Sequence, residues 1–246
     1  MENAQYVGLS RHMALQRQMA TVANNIANMN TAGYRSQQML FQSHMHEPDA
    51  SGAPAHTSMS MVIDHALLAD TRAGAIIDTQ NALDVALVGD GFLRVQSEAG
   101  PRYTRSGHLS LDLDGQLVNS LGRPVMTPTN GAIVIPPGTD RISIAEDGTV
   151  SADDVLVGQI DIVEFDDPRQ LEPLGGTLFA TNSVPRPAEN TSLVQGAIEN
   201  SNVQPIVEMS QMIEIARAYE STQRMMQNEH ERHQSAIRRL GQMASA

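Results

Sequence analysis

Two segments with the apolar spacing of an α-helix, one at each end of the chain, constrain the fold more than any other feature. In residues 3–29, apolar side chains recur at every third or fourth position, which places them on one face of a helix. These residues are Leu15, Met19, Val22, Ile26 and Met29. Residues 205–243 continue the same spacing at Met209, Met212, Ala216, Tyr219 and Met226. A lone helix cannot bury such a stripe, so each end must pack on the other end, on the middle or on another molecule.

The middle of the chain has the patterns of β-structure. Apolar and polar side chains alternate in residues 83–87 and 109–113, as they do in strands with one buried face. Three Asp-Gly pairs, which favour the positive φ angles of tight hairpin turns, stand between apolar runs. They are Asp90-Gly91, Asp114-Gly115 and Asp147-Gly148. Further strands are predicted at residues 133–135, 142–144 and 155–165. The sequence therefore predicts an α+β fold, with a central antiparallel β sandwich or barrel between the terminal helices.

These patterns divide the chain into five segments. Residues around His44 to Pro54 have little periodicity and several turn-forming side chains, which is typical of a linker. The segments are an N-terminal helix and motif (1–35), an extended linker (36–79), a β-domain (80–180), a return connection (181–204) and a C-terminal helix (205–246).

Charge and hydropathy exclude several classes of partner. The net charge of −12 lies in residues 62–205, while acidic and basic side chains balance in the two ends. We expect no binding to nucleic acid, because no basic patch is present. We expect no membrane insertion, because no apolar run approaches the length of a transmembrane helix. The first 20 residues lack the pattern of a cleaved signal peptide.

No group of residues has the spacing that catalysis or metal binding requires. Asp112 and Asp114 resemble the start of a calcium loop, but Arg123 stands where the loop needs a glutamate, so a hairpin turn is favoured. His230 and His233 share a helix face without a third ligand at motif spacing. Cysteine is absent, which excludes disulfides and thiol chemistry. We therefore predict no catalytic residue, no metal and no cofactor.

Three ordered blocks resemble the bacterial flagellar rod and hook proteins. The first is ANNIANMNTAGYR, residues 23–35. The second is NALDVALVGDGFLRV, residues 81–95, followed by RYTRSG at 102–107. The third is SNVQPIVEMSQMIEIARAYE, residues 201–220. Ala82 stands where the family usually has proline, and Ile206 resembles one extra residue. The blocks span nearly the whole chain, which makes the resemblance specific.

This resemblance implies a function that composition and spacing do not give. The terminal helices would pair antiparallel into an axial layer that lines a channel, with the β-domain outside. The partners would be copies of the same chain, other rod proteins and the flagellar type III export apparatus. Subunits would be exported without a cleaved signal peptide and would polymerise helically in the periplasm to form the rod of the basal body, which transmits motor torque.

The resemblance and the stripes together predict an assembly interface at the two ends of the chain. Its residues are Leu15, Met19, Val22, Asn24, Asn25, Ile26, Asn28, Met29, Gly33, Tyr34, Met209, Met212, Ile213, Ala216, Tyr219 and Met226. Spacing alone also allows each helix to pack on its own domain. Two other classes of function stay open, namely a secreted β-module that binds glycan or peptidoglycan and, with little support, a hydrolase built on paired carboxylates.

Overall fold

The computed structural model describes residues 2–46 and 59–244. Helix α1 spans Glu2–Ala27 and helix α2 spans Pro205–Ala244, which confirms both helices predicted from apolar spacing. The strands are β1 (Gln37–His46), β2 (Met59–Ala69), β3 (Ile76–Asp78), β4 (Val85–Val88), β5 (Phe92–Val95), β6 (Arg102–Thr104), β7 (Leu109–Leu111), β8 (Leu117–Asn119), β9 (Ile142–Ile144), β10 (Thr149–Ala152), β11 (Val155–Gln159), β12 (Ile162–Glu164), β13 (Glu172–Pro173), β14 (Leu178–Ala180), β15 (Arg186–Pro187), β16 (Ser192–Gln195) and β17 (Ala197–Glu199).

The chain divides into two compact units. The first contains α1 as far as Ile26, most of β1 and β2, and α2. The second contains residues 27–37 and 68–204, and therefore strands β3 to β17. The α+β class is confirmed.

The second unit is built from small antiparallel sheets. The largest has six strands in the order β13-β14-β6-β5-β12-β15, and a second has three in the order β11-β10-β9. The pairs β16-β4, β17-β3 and β7-β8 complete it. Its aliphatic core includes Val85, Leu93, Leu117, Val150 and Leu193. The strands described here do not close into a barrel, so only the antiparallel character of the prediction holds.

Two of the three Asp-Gly pairs form the predicted hairpins. Asp114-Gly115 joins β7 to β8, and Asp147-Gly148 joins β9 to β10. Both glycines have positive φ angles, 77° and 85°, as the turn requires. The carboxylate of Asp112 accepts the N–H groups of Asp114 and Gln116. It therefore stabilises a turn, as its spacing predicted.

The third Asp-Gly pair does not form a hairpin. Strand β4 before it pairs with β16, and strand β5 after it pairs with β6 and β12. Asp90-Gly91 therefore connects two different sheets. An Asp-Gly pair predicts a sharp turn of the backbone. Contacts between segments that are distant in sequence determine which strands pair on either side of that turn.

Two predicted connections contain strands instead. In the predicted linker 36–79, β1 pairs with β2, and β3 pairs with β17. In the predicted return connection 181–204, strands β15 and β16 pair with β12 and β4. Strands β3, β15 and β16 are too short to show a pattern of their own, and β1 and β2 mix polar and apolar side chains without strict alternation, so periodicity did not reveal them. Conversely, residues 133–135 make only isolated bridges.

A buried ion cluster joins the start of the second unit to its end. Glu199 is 2% exposed and Arg105 is 1% exposed. The Nε and Nη2 atoms of Arg105 donate to Oε2 of Glu199 over 2.8 and 2.6 Å. Oε1 of Glu199 lies 2.9 Å from Nη2 of Arg35 and accepts the N–H of Gly74. One carboxylate thus binds two guanidinium groups and a third segment of backbone.

The remaining donors of Arg105 are also used. Its Nη1 donates to the carbonyl oxygens of Gly89 and Gly91 over 2.7 and 2.6 Å, and its Nη2 donates to that of Leu87. A buried guanidinium requires such partners, because leaving a charge unpaired in the interior costs several kcal/mol. Arg105 therefore fixes the β4–β5 connection, including the Asp90-Gly91 turn.

Gly33 brings the chain into this cluster. Its N–H donates to the carbonyl oxygen of Glu199 over 2.7 Å, and its φ angle is 69°. A side chain at this position would place Cβ 2.3 Å from the backbone nitrogen of Ser106. Only glycine fits this conformation and this approach, which explains the glycine in the first sequence block.

We predict that Glu199→Ala strongly destabilises the second unit. The substitution leaves Arg35 and Arg105 buried without a carboxylate, which costs about 3–5 kcal/mol. Urea denaturation of the purified protein measures this loss. Arg72→Ala is the control, because it removes an ion pair with Asp70 in which the arginine side chain is 74% exposed. The control should keep nearly the wild-type midpoint, and equal losses in both variants would contradict the central role of the cluster.

Candidate assembly surface

The two terminal helices pack against each other in antiparallel orientation. Near the end of α1, Nδ2 of Asn25 donates to Oε1 of Glu208, in the first turn of α2, over 3.2 Å. Farther along, the His12 ring stacks on Tyr219 with a centroid distance of 4.1 Å. The end of α1 therefore lies beside the start of α2, and an earlier part of α1 lies beside a later part of α2. This confirms the antiparallel pairing that the family resemblance implied.

The start of α1 permits a close approach of the helices. A Cβ atom added to Gly8 would lie 3.3 Å from Cγ of Met226. This contact is tighter than most, so a larger side chain at residue 8 would displace the methionine. Small residues at a helix contact allow the backbones to come near each other.

The buried face of α2 follows a regular 4-3 spacing. From Glu208 to Met226, the buried or half-buried residues at this spacing are Glu208, Met212, Ile215, Tyr219, Thr222 and Met226, and Ala216 and Ala218 are half-buried beside them. This is the spacing of a coiled-coil seam. The sequence analysis identified Met212, Tyr219 and Met226, but it missed the other three members. Glu208 and Thr222 are polar and did not register as part of a stripe, whereas Ile215 could have been found by extending the count from Met212.

Each helix also carries a second apolar face whose side chains are exposed. On α1 it consists of Tyr6, Leu9 and Met13, which we call the α1 stripe. On α2 it consists of Ile206, Met209 and Ile213, which we call the α2 stripe. These six side chains are between 45% and 81% exposed. Exposed apolar residues grouped on one face are typical of a surface that binds another protein.

The sixteen predicted interface residues occupy different environments. Those exposed are Asn24, Met209 and Ile213, and those buried are Val22, Asn25, Gly33 and Tyr34. Those half-buried are Leu15, Met19, Ile26, Asn28, Met29, Met212, Ala216, Tyr219 and Met226. Gly33 and Tyr34 lie within the second unit. We therefore assign these two residues to the folding of that unit and no longer to a surface.

Two kinds of feature are absent from the part of the chain that the structure describes. Among them, no three His, Asp or Glu side chains are grouped so that they could hold a metal ion. None of the described helices is long and apolar enough to cross a membrane.

Glu208 gives the helix seam a dependence on pH. Burial raises the pKa of its carboxyl group, although the hydrogen bond from Asn25 acts in the opposite direction. Its Oε2 atom is buried without a hydrogen-bond partner in the described part of the chain. A carboxyl group with a raised pKa binds protons more readily in the folded state, so its contribution to stability becomes more favourable as the pH falls.

We predict that Glu208→Gln stabilises the helix pair near neutral pH. Glutamine keeps an oxygen that can accept from Asn25 and removes the buried charge. Measured at about pH 7 and again at a more acidic pH, the gain should shrink as the pH falls, because the wild-type carboxyl group, whose pKa is raised, becomes protonated. Urea unfolding followed by circular dichroism measures it, with Glu214→Gln as the exposed control on the same helix. An equal gain at both pH values would contradict burial of charge as the cause.

Three family models match this chain in order. A model described as flagella basal body rod protein matches residues 6–35. The model of the flagellar hook protein FlgE/F/G D1 domain matches residues 86–152. The model of the flagellar basal body rod FlgEFG protein C-terminal region matches residues 194–239. The first and third cover most of α1 and α2, and the second covers much of the β-structure.

Full-length relatives give the same result. The flagellar basal-body rod protein FlgF of Caulobacter vibrioides is 38% identical over 245 residues, which cover 99% of this chain and 100% of the relative. FlgF of Rhizobium meliloti is 31% identical, with coverage of 98% and 99%. The flagellar basal-body rod protein FlgG of Bacillus subtilis is 30% identical, with coverage of 90% and 92%. This chain therefore belongs to the family of flagellar basal-body rod proteins, and among them it is most like FlgF.

Proposed function

We propose that this protein is a structural subunit of the proximal rod of the flagellar basal body. It polymerises helically with copies of itself and with other rod proteins. The resulting shaft transmits motor torque and surrounds the channel through which subunits are exported. A role like that of FlgG, in the distal rod, is the alternative within the family.

The observation that carries this proposal is the pair of exposed apolar stripes on the terminal helices. The α1 and α2 stripes lie outside the seam that the two helices form with each other. Exposed apolar surface of this kind is unfavourable in water and becomes favourable when another subunit covers it. The balanced charge of the two ends supports the same conclusion, because neutral surfaces approach like copies without strong repulsion.

The subunit is exported by the flagellar type III apparatus and assembles in the periplasm. It has no enzymatic activity and no cofactor. Its residues act through packing and through the buried ion cluster at Glu199, which ties the segments nearest the helices into the second unit.

We predict that Ile213→Asp prevents incorporation into the rod while the chain still folds. Ile213 is exposed in the subunit, so the new carboxylate is solvated before assembly. It becomes buried without a partner once a neighbour covers the stripe, at a cost of several kcal/mol. Cells that produce only this variant should be non-motile, and their isolated basal bodies should lack the variant.

The matched control is Gln211→Asp, on the opposite side of α2 from Ile213. Gln211 is exposed and two residues away on the helix, so it faces away from the α2 stripe, and this variant should support motility. Circular dichroism of both purified proteins checks that the helices remain. Normal incorporation of Ile213→Asp would overturn the proposal that the α2 stripe is an assembly surface.

A further inference from the structure

The two stripes lie at opposite ends of the antiparallel helix pair. The α1 stripe includes the stretch of α1 around Gly8, and Gly8 lies beside Met226 of α2. The α2 stripe begins at the level of Asn25, which contacts Glu208. Measured along the pair, the centres of the stripes are separated by about 14 helical residues, or about 21 Å at the rise of an α-helix. One subunit therefore presents two separate apolar surfaces at two heights.

The stripes match each other in length and character. Each spans eight residues, from Tyr6 to Met13 and from Ile206 to Ile213, and each has three large apolar side chains at helical spacing. If the helix pairs of two copies point in the same direction, α1 of one copy can lie against α2 of the other copy in antiparallel orientation. This is the orientation that the same two helices already adopt in the seam of one subunit.

The choice of contact decides whether association stops or continues. If the α1 stripe bound another α1 stripe, a two-fold symmetric pair would bury that surface and end growth there. If the α1 stripe binds an α2 stripe, the growing assembly still presents one free α1 stripe at one end and one free α2 stripe at the other. Such a heterologous contact propagates, as a subunit that polymerises requires.

We propose that the α1 stripe of one copy packs on the α2 stripe of a second copy, which is displaced by about 21 Å along the helix axis. Leu9 then lies opposite Met209, and Met13 lies opposite Ile206. This inference rests on the proposed function, because it assumes that copies of the chain meet in the rod. It adds which surfaces meet, in which orientation and with what stagger.

The chain contains no cysteine, so single thiols can report this contact without background. Cells that lack the wild-type gene would produce Leu9→Cys and Met209→Cys together, on separate chains that carry different tags. A short bis-maleimide would then be added to isolated basal bodies. We expect a cross-linked dimer that carries both tags, and no dimer when either variant is produced alone.

The control pair combines Leu9→Cys with Glu231→Cys. Glu231 is exposed and lies on nearly the same side of α2 as Met209, but about 33 Å farther along the helix. It should give no dimer. The pair Met13→Cys and Ile206→Cys provides a second test of the same register if either Leu9→Cys or Met209→Cys fails to assemble.

The outcomes separate this inference from the proposed function. Dimers from Leu9→Cys alone, or cross-links only to other proteins, in basal bodies that contain the variants would overturn the stripe-to-stripe contact and leave the rod function intact. A strong dimer with Glu231→Cys would overturn the stagger. Absence of the wild-type protein itself from basal bodies would overturn both.

Discussion

The buried carboxylate of Glu199 is the interaction on which the second unit depends. It binds the guanidinium groups of Arg35 and Arg105 and the backbone of Gly74, while its carbonyl oxygen accepts from Gly33. These residues belong to four distant segments of the chain. A buried charge imposes strict geometry. If one charged partner is removed, the remaining charges stay buried without compensation, which lowers the free energy of unfolding. The cluster therefore ties together the segments that follow α1, precede β3 and precede α2.

The helix pair follows a different physical logic. Its seam is not fully apolar, since Asn25, Glu208 and Thr222 are buried in it. Polar groups at such positions reduce stability but favour one register over others. The stripes outside the seam remain exposed. The proposed assembly uses both faces of each helix, because the seam holds the two helices of one subunit together and the exposed stripe is available to a neighbouring subunit.

Local sequence patterns predicted the features that depend on neighbouring residues. Helical spacing identified α1 and α2, and the Asp-Gly pairs at 114–115 and 147–148 identified two hairpins. Patterns failed where distant segments decide the outcome. Strand β16 pairs with β4 across about one hundred residues, a long-range pairing that local patterns do not encode, and its composition resembles a polar connection. Glu199 gave no signal, because a single carboxylate in a sequence does not reveal which arginines will surround it.

The sequence by itself determined the family, the terminal helices and the surplus of apolar surface on them, because motifs and periodicity are local properties of a chain. Only the tertiary structure decided which part of that surface is used within the subunit. Packing placed Met212, Ile215 and Tyr219 in the seam and left Ile206, Met209 and Ile213 exposed. The physical reason is that a helix presents several faces, and only the position of its partner determines which face becomes buried.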